Sequence, residues 1–133
     1  MAGRIQTYRD LMVWQKAMAL VTEVYRLSRR FPKEEVYGLM AQMRRCAVSI
    51  PSSIAEGYGR NSTPDYVRFL RMAAGALYEL QTQIEVALNL EYVRAEVVSS
   101  LYEHADEIAQ MLGGLFGRLD GNATRRSVRT NEA

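Results

Sequence analysis

The sequence predicts an all-α protein, an antiparallel up-down-up-down four-helix bundle whose second helix is kinked at Pro51. Three observations lead there. Apolar residues recur at steps of three and four in four successive stretches, no stretch alternates apolar and polar residues as a half-buried strand would, and proline or glycine falls at the first two breaks. Breaks at about residues 31–34, 59–63 and 91–95 are short. Connections of that length make consecutive helices antiparallel neighbours.

The first helix is expected from Asp10 to Phe31, and it carries two apolar seams. One is Leu11, Trp14, Met18, Val21 and Tyr25; the other is Val13, Ala17, Leu20, Val24 and Leu27. A bundle core needs one such face. A second seam means contact on both sides, either a broad intramolecular core or a neighbouring subunit, which makes Trp14, Met18 and Tyr25 candidate oligomer-interface residues. Arg26, Arg29, Arg30 and Lys33 gather at the C-terminal end, where the helix dipole favours positive charge without any ligand. Phe31-Pro32 ends the element.

Lys33, Glu34 and Glu35 are expected to open the second helix, and Gly57 and Gly59 to close it. Val36, Met40, Met43, Ala47, Ile50 and Ile54 form its apolar face, with Pro51 inside the run. Proline lacks the N–H that the Ala47 carbonyl needs and its ring crowds that carbonyl, a defect of roughly 3 kcal/mol in a helix interior unless offset. Ser49, Ser52 and Ser53 surround the break and have hydroxyls for the freed groups. Gln42, Arg45, Ser49, Ser52 or Ser53, Glu56 and Arg60 make a polar stripe, either solvated, paired with a neighbouring helix, or a contact surface. The lone Cys46 lies near the apolar side, as a small core residue and not a nucleophile.

Asn61 to Pro64 form a turn in which Ser62 or Thr63 is the N-cap. The third helix then runs from about Pro64 to Glu91, with Val67, Leu70, Ala74, Leu77, Ile84 and Leu88 inward. Its Ala73-Ala74-Gly75-Ala76 cluster predicts close approach of another backbone. The fourth helix spans about Ala95 to Leu119, with Val98, Leu101, Ala105, Ile108, Leu112, Leu115 and Leu119 inward. Gly113, Gly114 and Gly117 predict fraying or close contact in its last turns. Residues 1–120 are thus one bundle domain, and the nearly apolar-free residues 121–133, with Arg125, Arg126 and Arg129, are expected to be a disordered basic tail.

VSIPSSIAEGYGR (Val48 to Arg60) resembles the signature of the four-helix-bundle proteins encoded within intervening sequences of bacterial 23S ribosomal RNA genes. DLMVWQKAMAL (Asp10 to Leu20), FPKEEVYGLMAQMRR (Phe31 to Arg45) and FLRMAAGALYELQTQ (Phe69 to Gln83) resemble the family's corresponding helices, so the likeness covers about residues 8–119. Two positions depart: Ser53 stands where the family usually has Asn, and Ala76 where it usually has Ser. The family relationship takes in accessory proteins of diversity-generating retroelements. The resemblance therefore implies a pentameric assembly, structured RNA as ligand and a reverse transcriptase as partner.

Charge and composition narrow the function. Residues 1–75 hold twelve Arg or Lys against six Asp or Glu, a net +6, whereas residues 76–120 hold two against eight, a net −6. Such asymmetry serves packing between oppositely charged helices or leaves a basic face for phosphates. A carboxylate-bridged metal centre needs Glu-x-x-His on two helices, and the chain has one histidine, His104, directly after Glu103. No catalytic residues, metal or cofactor are expected. The N-terminus lacks the apolar run of a signal peptide or membrane span, so a cytoplasmic protein is expected. The reading is a non-enzymatic, homo-oligomeric bundle that binds structured RNA or DNA through Arg44, Arg45, Arg60, Arg68 and Arg71; the alternative is an oligomeric protein-interaction scaffold.

Overall fold

The computed structural model describes residues 3–132, with side chains up to Gly121. Four helices, α1 (Met12–Ser28), α2 (Leu39–Tyr58), α3 (Thr63–Asn89) and α4 (Ala95–Glu132), are preceded and joined by two short 3₁₀ turns, Tyr8–Asp10 and Lys33–Glu35. Among the described residues there is no strand. Each helix packs on its neighbours in sequence, α4 closes against α1, and among the described residues the diagonal pairs have no backbone approach within 8 Å.

Cross-helix contacts fix the directions. Trp14 and Met18 face Val48, Pro51 and Ala55, while Tyr25 and Ser28 meet Arg44, so α1 and α2 are antiparallel. Cys46 meets Ala76, and Gly57 meets Phe69. Arg71 meets Asp120, and Gln81 meets Asp106. Lys16 pairs with Glu107 at 2.8 Å, while Leu27 and Arg30 lie beside Val97 and Leu101. The descending numbers in each pair describe an up-down-up-down bundle.

Helix ends differ from the sequence expectation for local reasons. Asp10 belongs to a capping box, in which its Oδ2 accepts from the backbone N–H groups of Gln6 (2.9 Å) and Thr7 (3.1 Å), while Thr7 Oγ1 accepts from Arg9. That turn is closed before α1 begins at Met12, two residues after the expected start. At the other end α1 stops at Ser28, and Phe31 folds back as a buried plug against Tyr92, ring centroids 5.5 Å apart. Lys33–Glu35 is a separate turn, and α2 starts only after Gly38, whose φ of −109° and ψ of −119° interrupt the helical path. Val36, expected inward, is consequently exposed.

Proline does not end α2: the helix continues through a buried Pro51 to Tyr58. Ser49 answers a different carbonyl from the expected one, its hydroxyl donating to Cys46 at 2.6 Å. Ser62 is the N-cap of α3, accepting from the Asp65 N–H at 3.2 Å, with Pro64 in the first turn. The C-terminal end of α3 is a Schellman motif: Tyr92 N–H donates to Ala87 and Glu91 N–H to Leu88, with Glu91 in the left-handed region at φ 62°. α4 runs past the expected stop at Leu119. The disordered tail expected over 121–133 lies outside the residues whose side chains are described.

The core answers a question that the sequence left open. Val13, Ala17, Leu20, Val24 and Leu27 are all buried, together with Met43, Ala47, Ile50 and Ile54 of α2. Ala73, Leu77, Leu80 and Ile84 of α3 and Val98, Leu101, Ala105, Ile108 and Leu112 of α4 complete the interior. One seam of α1 is therefore core throughout, whereas of the other only Leu11 is buried, with Trp14 and Val21 packed partly buried against the core. Gly57 permits the tight α2–α3 crossing, since a Cβ there would lie 2.7 Å from the Phe69 Cβ. Gly75, by contrast, is exposed, and a Cβ there would touch nothing within 4 Å. The close approach expected at Gly75, and the one considered at Gly113, Gly114 and Gly117, are absent from the fold.

Candidate interaction surfaces

The other seam of α1 lines an outward groove against α2. Tyr8, Trp14, Met18 and Val21 form one wall, and Val48, Pro51, Ser52 and Ala55 the other. Trp14 is half-buried and stacks edge-on with Tyr8, centroids 5.2 Å apart, while Met18 and Tyr25 are 43% and 38% exposed. The three residues singled out from sequence thus share one face of α1, and Val48 at 40% exposure extends it onto α2. Apolar side chains in this number on one face mark a contact surface more than a solvated one. Pro51 helps to shape the floor.

The five arginines do not form one cluster. Arg44 lies in the second turn of α2 and Arg60 just beyond its C-terminal end, so the two are separated by most of the helix's length, on the order of 20 Å at 1.5 Å per residue. Arg44 is a tie between helices: its Nε donates to Ser28 Oγ at 2.8 Å, its terminal nitrogen donates to the Tyr25 carbonyl at 3.1 Å, and its guanidinium lies 4.5 Å from the Tyr25 ring centroid. The Ser28 hydroxyl also donates to the Tyr25 carbonyl. Arg45, one position on, is exposed and forms no ion pair among the described residues.

Arg60 and Arg68 come together at the α2–α3 corner, at 4.5 and 4.6 Å from the centroid of the same Phe69 ring. Each already has an acid: Arg60 pairs with Glu56 at 2.8 Å, and Arg68 with Asp65 at 3.3 Å. Arg71 stacks on Phe116 and pairs with Asp120 of α4. These aromatic platforms and acids neutralise much of the positive face expected from the sequence. The corner recess, lined by Glu56, Gly59, Arg60, Asn61, Ser62 and Asp65, is correspondingly mixed in charge.

Part of the charge asymmetry is used within the bundle, because basic α1 and acidic α4 are neighbours. Lys16–Glu107 joins them, and His104 Nδ1 donates to the Glu23 carboxylate, a partner 81 positions away that no local pattern foretells. Cys46 lies on α2, diagonal to α4, so it and His104 are not brought together. Burial first, and the nearby Glu79 carboxylate second, push the Cys46 thiol up to about 12, and its Sγ lies 3.0 Å from the Ala76 carbonyl. Such a thiol is not poised for nucleophilic attack at neutral pH. Among the described residues no group of three or more His, Cys, Asp or Glu is placed to hold a metal ion, and no helix is long and apolar enough to cross a membrane.

Residues 9–114 match the family model described as 23S rRNA-intervening sequence protein. In fold, the chain is similar to a protein of unknown function from the S23 ribosomal protein family of Bacteroides thetaiotaomicron, with a TM-score of 0.71 at 20% identity over 79% of this chain and 98% of that one. No curated protein matches the chain.

Proposed function

Because the chain belongs to the 23S rRNA-intervening sequence protein family, we propose that it is a non-enzymatic, homo-oligomeric bundle that binds structured nucleic acid, RNA foremost. The observation that carries the assembly is the apolar seam of half-buried Trp14 and exposed Met18 and Tyr25, with exposed Val48 beside it. A second copy covering this groove would remove it from water, and a closed ring, a pentamer, would do so for every subunit at once. The excess of cations in residues 1–75 supports a phosphate-bearing ligand. A reverse transcriptase working on structured RNA is the protein partner that fits this reading.

Light scattering on the purified chain tests the assembly. The expected mass is about five times the 15.1 kDa of one chain, and Met18→Glu is expected to reduce it to 15.1 kDa while the helical circular dichroism persists. A wild-type monomer across micromolar concentrations would refute the ring. A second reading, an oligomeric scaffold for protein alone, is favoured by one observation: Arg44, Arg60, Arg68 and Arg71 already have hydrogen-bond or ion-pair partners within the chain. Binding of the wild-type protein to an RNA hairpin, with affinity falling steeply as salt rises, decides against it.

A further inference from the structure

Resting on the nucleic-acid reading above, we propose that the phosphate-contacting surface is the groove between the C-terminal end of α1 and the N-terminal end of α4, centred on Arg26 and Arg30. Its ligand is the sugar-phosphate backbone of a structured RNA.

The groove is lined by Glu23, Arg26 and Leu27 of α1, by Arg30 of the turn that follows it, and by Val97, Ser100 and Leu101 of α4. Arg26 sits in the last turn of α1 and Arg30 in the turn that follows, where its N–H donates to the Leu27 carbonyl, and both side chains line the groove. Both are exposed, and neither forms an ion pair among the described residues. Here they differ from Arg60, Arg68 and Arg71. Those three would have to release an acid and leave an aromatic ring before taking a phosphate, whereas Arg26 and Arg30 exchange only water and counterions. Arg29 and Lys33 continue the exposed run, and exposed Arg94 precedes α4 across the groove.

The acids at this end offset these cations only in part. Glu23 is bonded to His104, and the Glu35 carboxylate is folded over Gly38, 2.9 Å from where a Cβ would stand. Glu34, Glu91 and Glu96 are exposed and oppose the field from the rim. Inside the groove Glu23 is the sole acid, facing two guanidinium groups over an apolar floor of Leu27, Val97 and Leu101. Low-polarity walls concentrate the field of such a pair, and the planar donor fork of arginine matches phosphate oxygens. Ser100 adds a neutral hydroxyl donor. No aromatic ring lines the groove to stack a base, so recognition is of backbone and shape, without sequence preference.

The test is fluorescence anisotropy of an RNA hairpin with the full chain, in a salt series. Three proteins are compared: wild type, Arg26→Gln/Arg29→Gln/Arg30→Gln, and Arg60→Gln/Arg68→Gln/Arg71→Gln. The groove variant is expected to lose at least about tenfold in affinity, and its slope of log affinity against log salt should fall by about two to three, roughly one per phosphate contact removed. The corner variant should stay within about twofold of wild type. Ser100→Arg, which adds a cation without removing any contact, should steepen the slope and guards against a groove variant that merely unfolds. Wild type that binds while the groove variant keeps its affinity and slope overturns this site and leaves the nucleic-acid reading standing. Wild type that does not bind overturns both.

Discussion

Glu91 holds a backbone conformation that L-residues avoid, φ 62°, because the Schellman turn at the end of α3 requires it. Left-handed geometry costs a non-glycine residue about 1 kcal/mol or more, so Glu91→Gly is expected to raise stability by roughly that amount in urea melts. Two further glycine positions predict opposite signs. Gly75→Ala, exposed and in open space within α3, should stabilise by up to about 1 kcal/mol. Gly57→Ala forces a methyl onto the Phe69 Cβ and should destabilise by about 1–3 kcal/mol. Both glycines lie in helices, and sequence assigned the packing role to the wrong one. Helical spacing reports which face a residue is on, not how near the opposite backbone comes. Cys46 gives a chemical check at the same scale: with its thiol held at about 12, alkylation by iodoacetamide at pH 8 should be slow in the folded protein and become fast on denaturation.

At the scale of the element, α1 is an amphipathic helix with one face fully buried and the adjacent face half-covered. Arg44 of α2 fastens its last turn by taking the Tyr25 carbonyl and the Ser28 hydroxyl, the latter on a fully buried residue. Arg44→Met should therefore cost about 1–2 kcal/mol in urea denaturation, whereas Arg45→Met, on the exposed face, should stay within about 0.5 kcal/mol. A nucleic-acid experiment that replaces Arg44 thus perturbs the α1–α2 contact as well as charge. Adjacent arginines with identical sequence chemistry separate in role because the rotation of about 100° per residue places Arg44 against α1 and Arg45 in solvent. α2 itself tolerates Pro51 because the residue is buried between helices and contributes to the packed groove wall.

For the whole molecule, the ring of contacts α1–α2–α3–α4–α1 puts the basic first helix against the acidic fourth, so part of the charge asymmetry is internal complementarity. What is left over is distributed unevenly. Cations without an ion pair among the described residues gather at the end of the bundle where α1 finishes and α4 begins, and one patch of apolar surface lies at the outer groove between α1 and α2. These are different faces, so oligomer formation and nucleic-acid binding should be separable by mutation. Met18→Glu is expected to abolish assembly yet leave the Arg26 groove intact, with weaker overall RNA affinity through lost multivalency. Titration of RNA into the monomeric variant, set beside the oligomer, checks it.

Sequence by itself determined the helices, their number and their antiparallel order, because apolar period and short breaks are local properties that survive any tertiary arrangement. It also placed Trp14, Met18 and Tyr25 on one face, since i, i+4 and i, i+7 spacing is fixed by the helix. Only the tertiary structure decided which of two equivalent seams on α1 became core. Only it could pair Glu23 with His104 and Arg71 with Asp120, or lay Arg60 and Arg68 on one phenyl ring. The physical reason is that a guanidinium's availability depends on which acid, carbonyl or ring the fold brings within a few ångströms, and residues 49 or 81 positions apart carry no local record of that meeting.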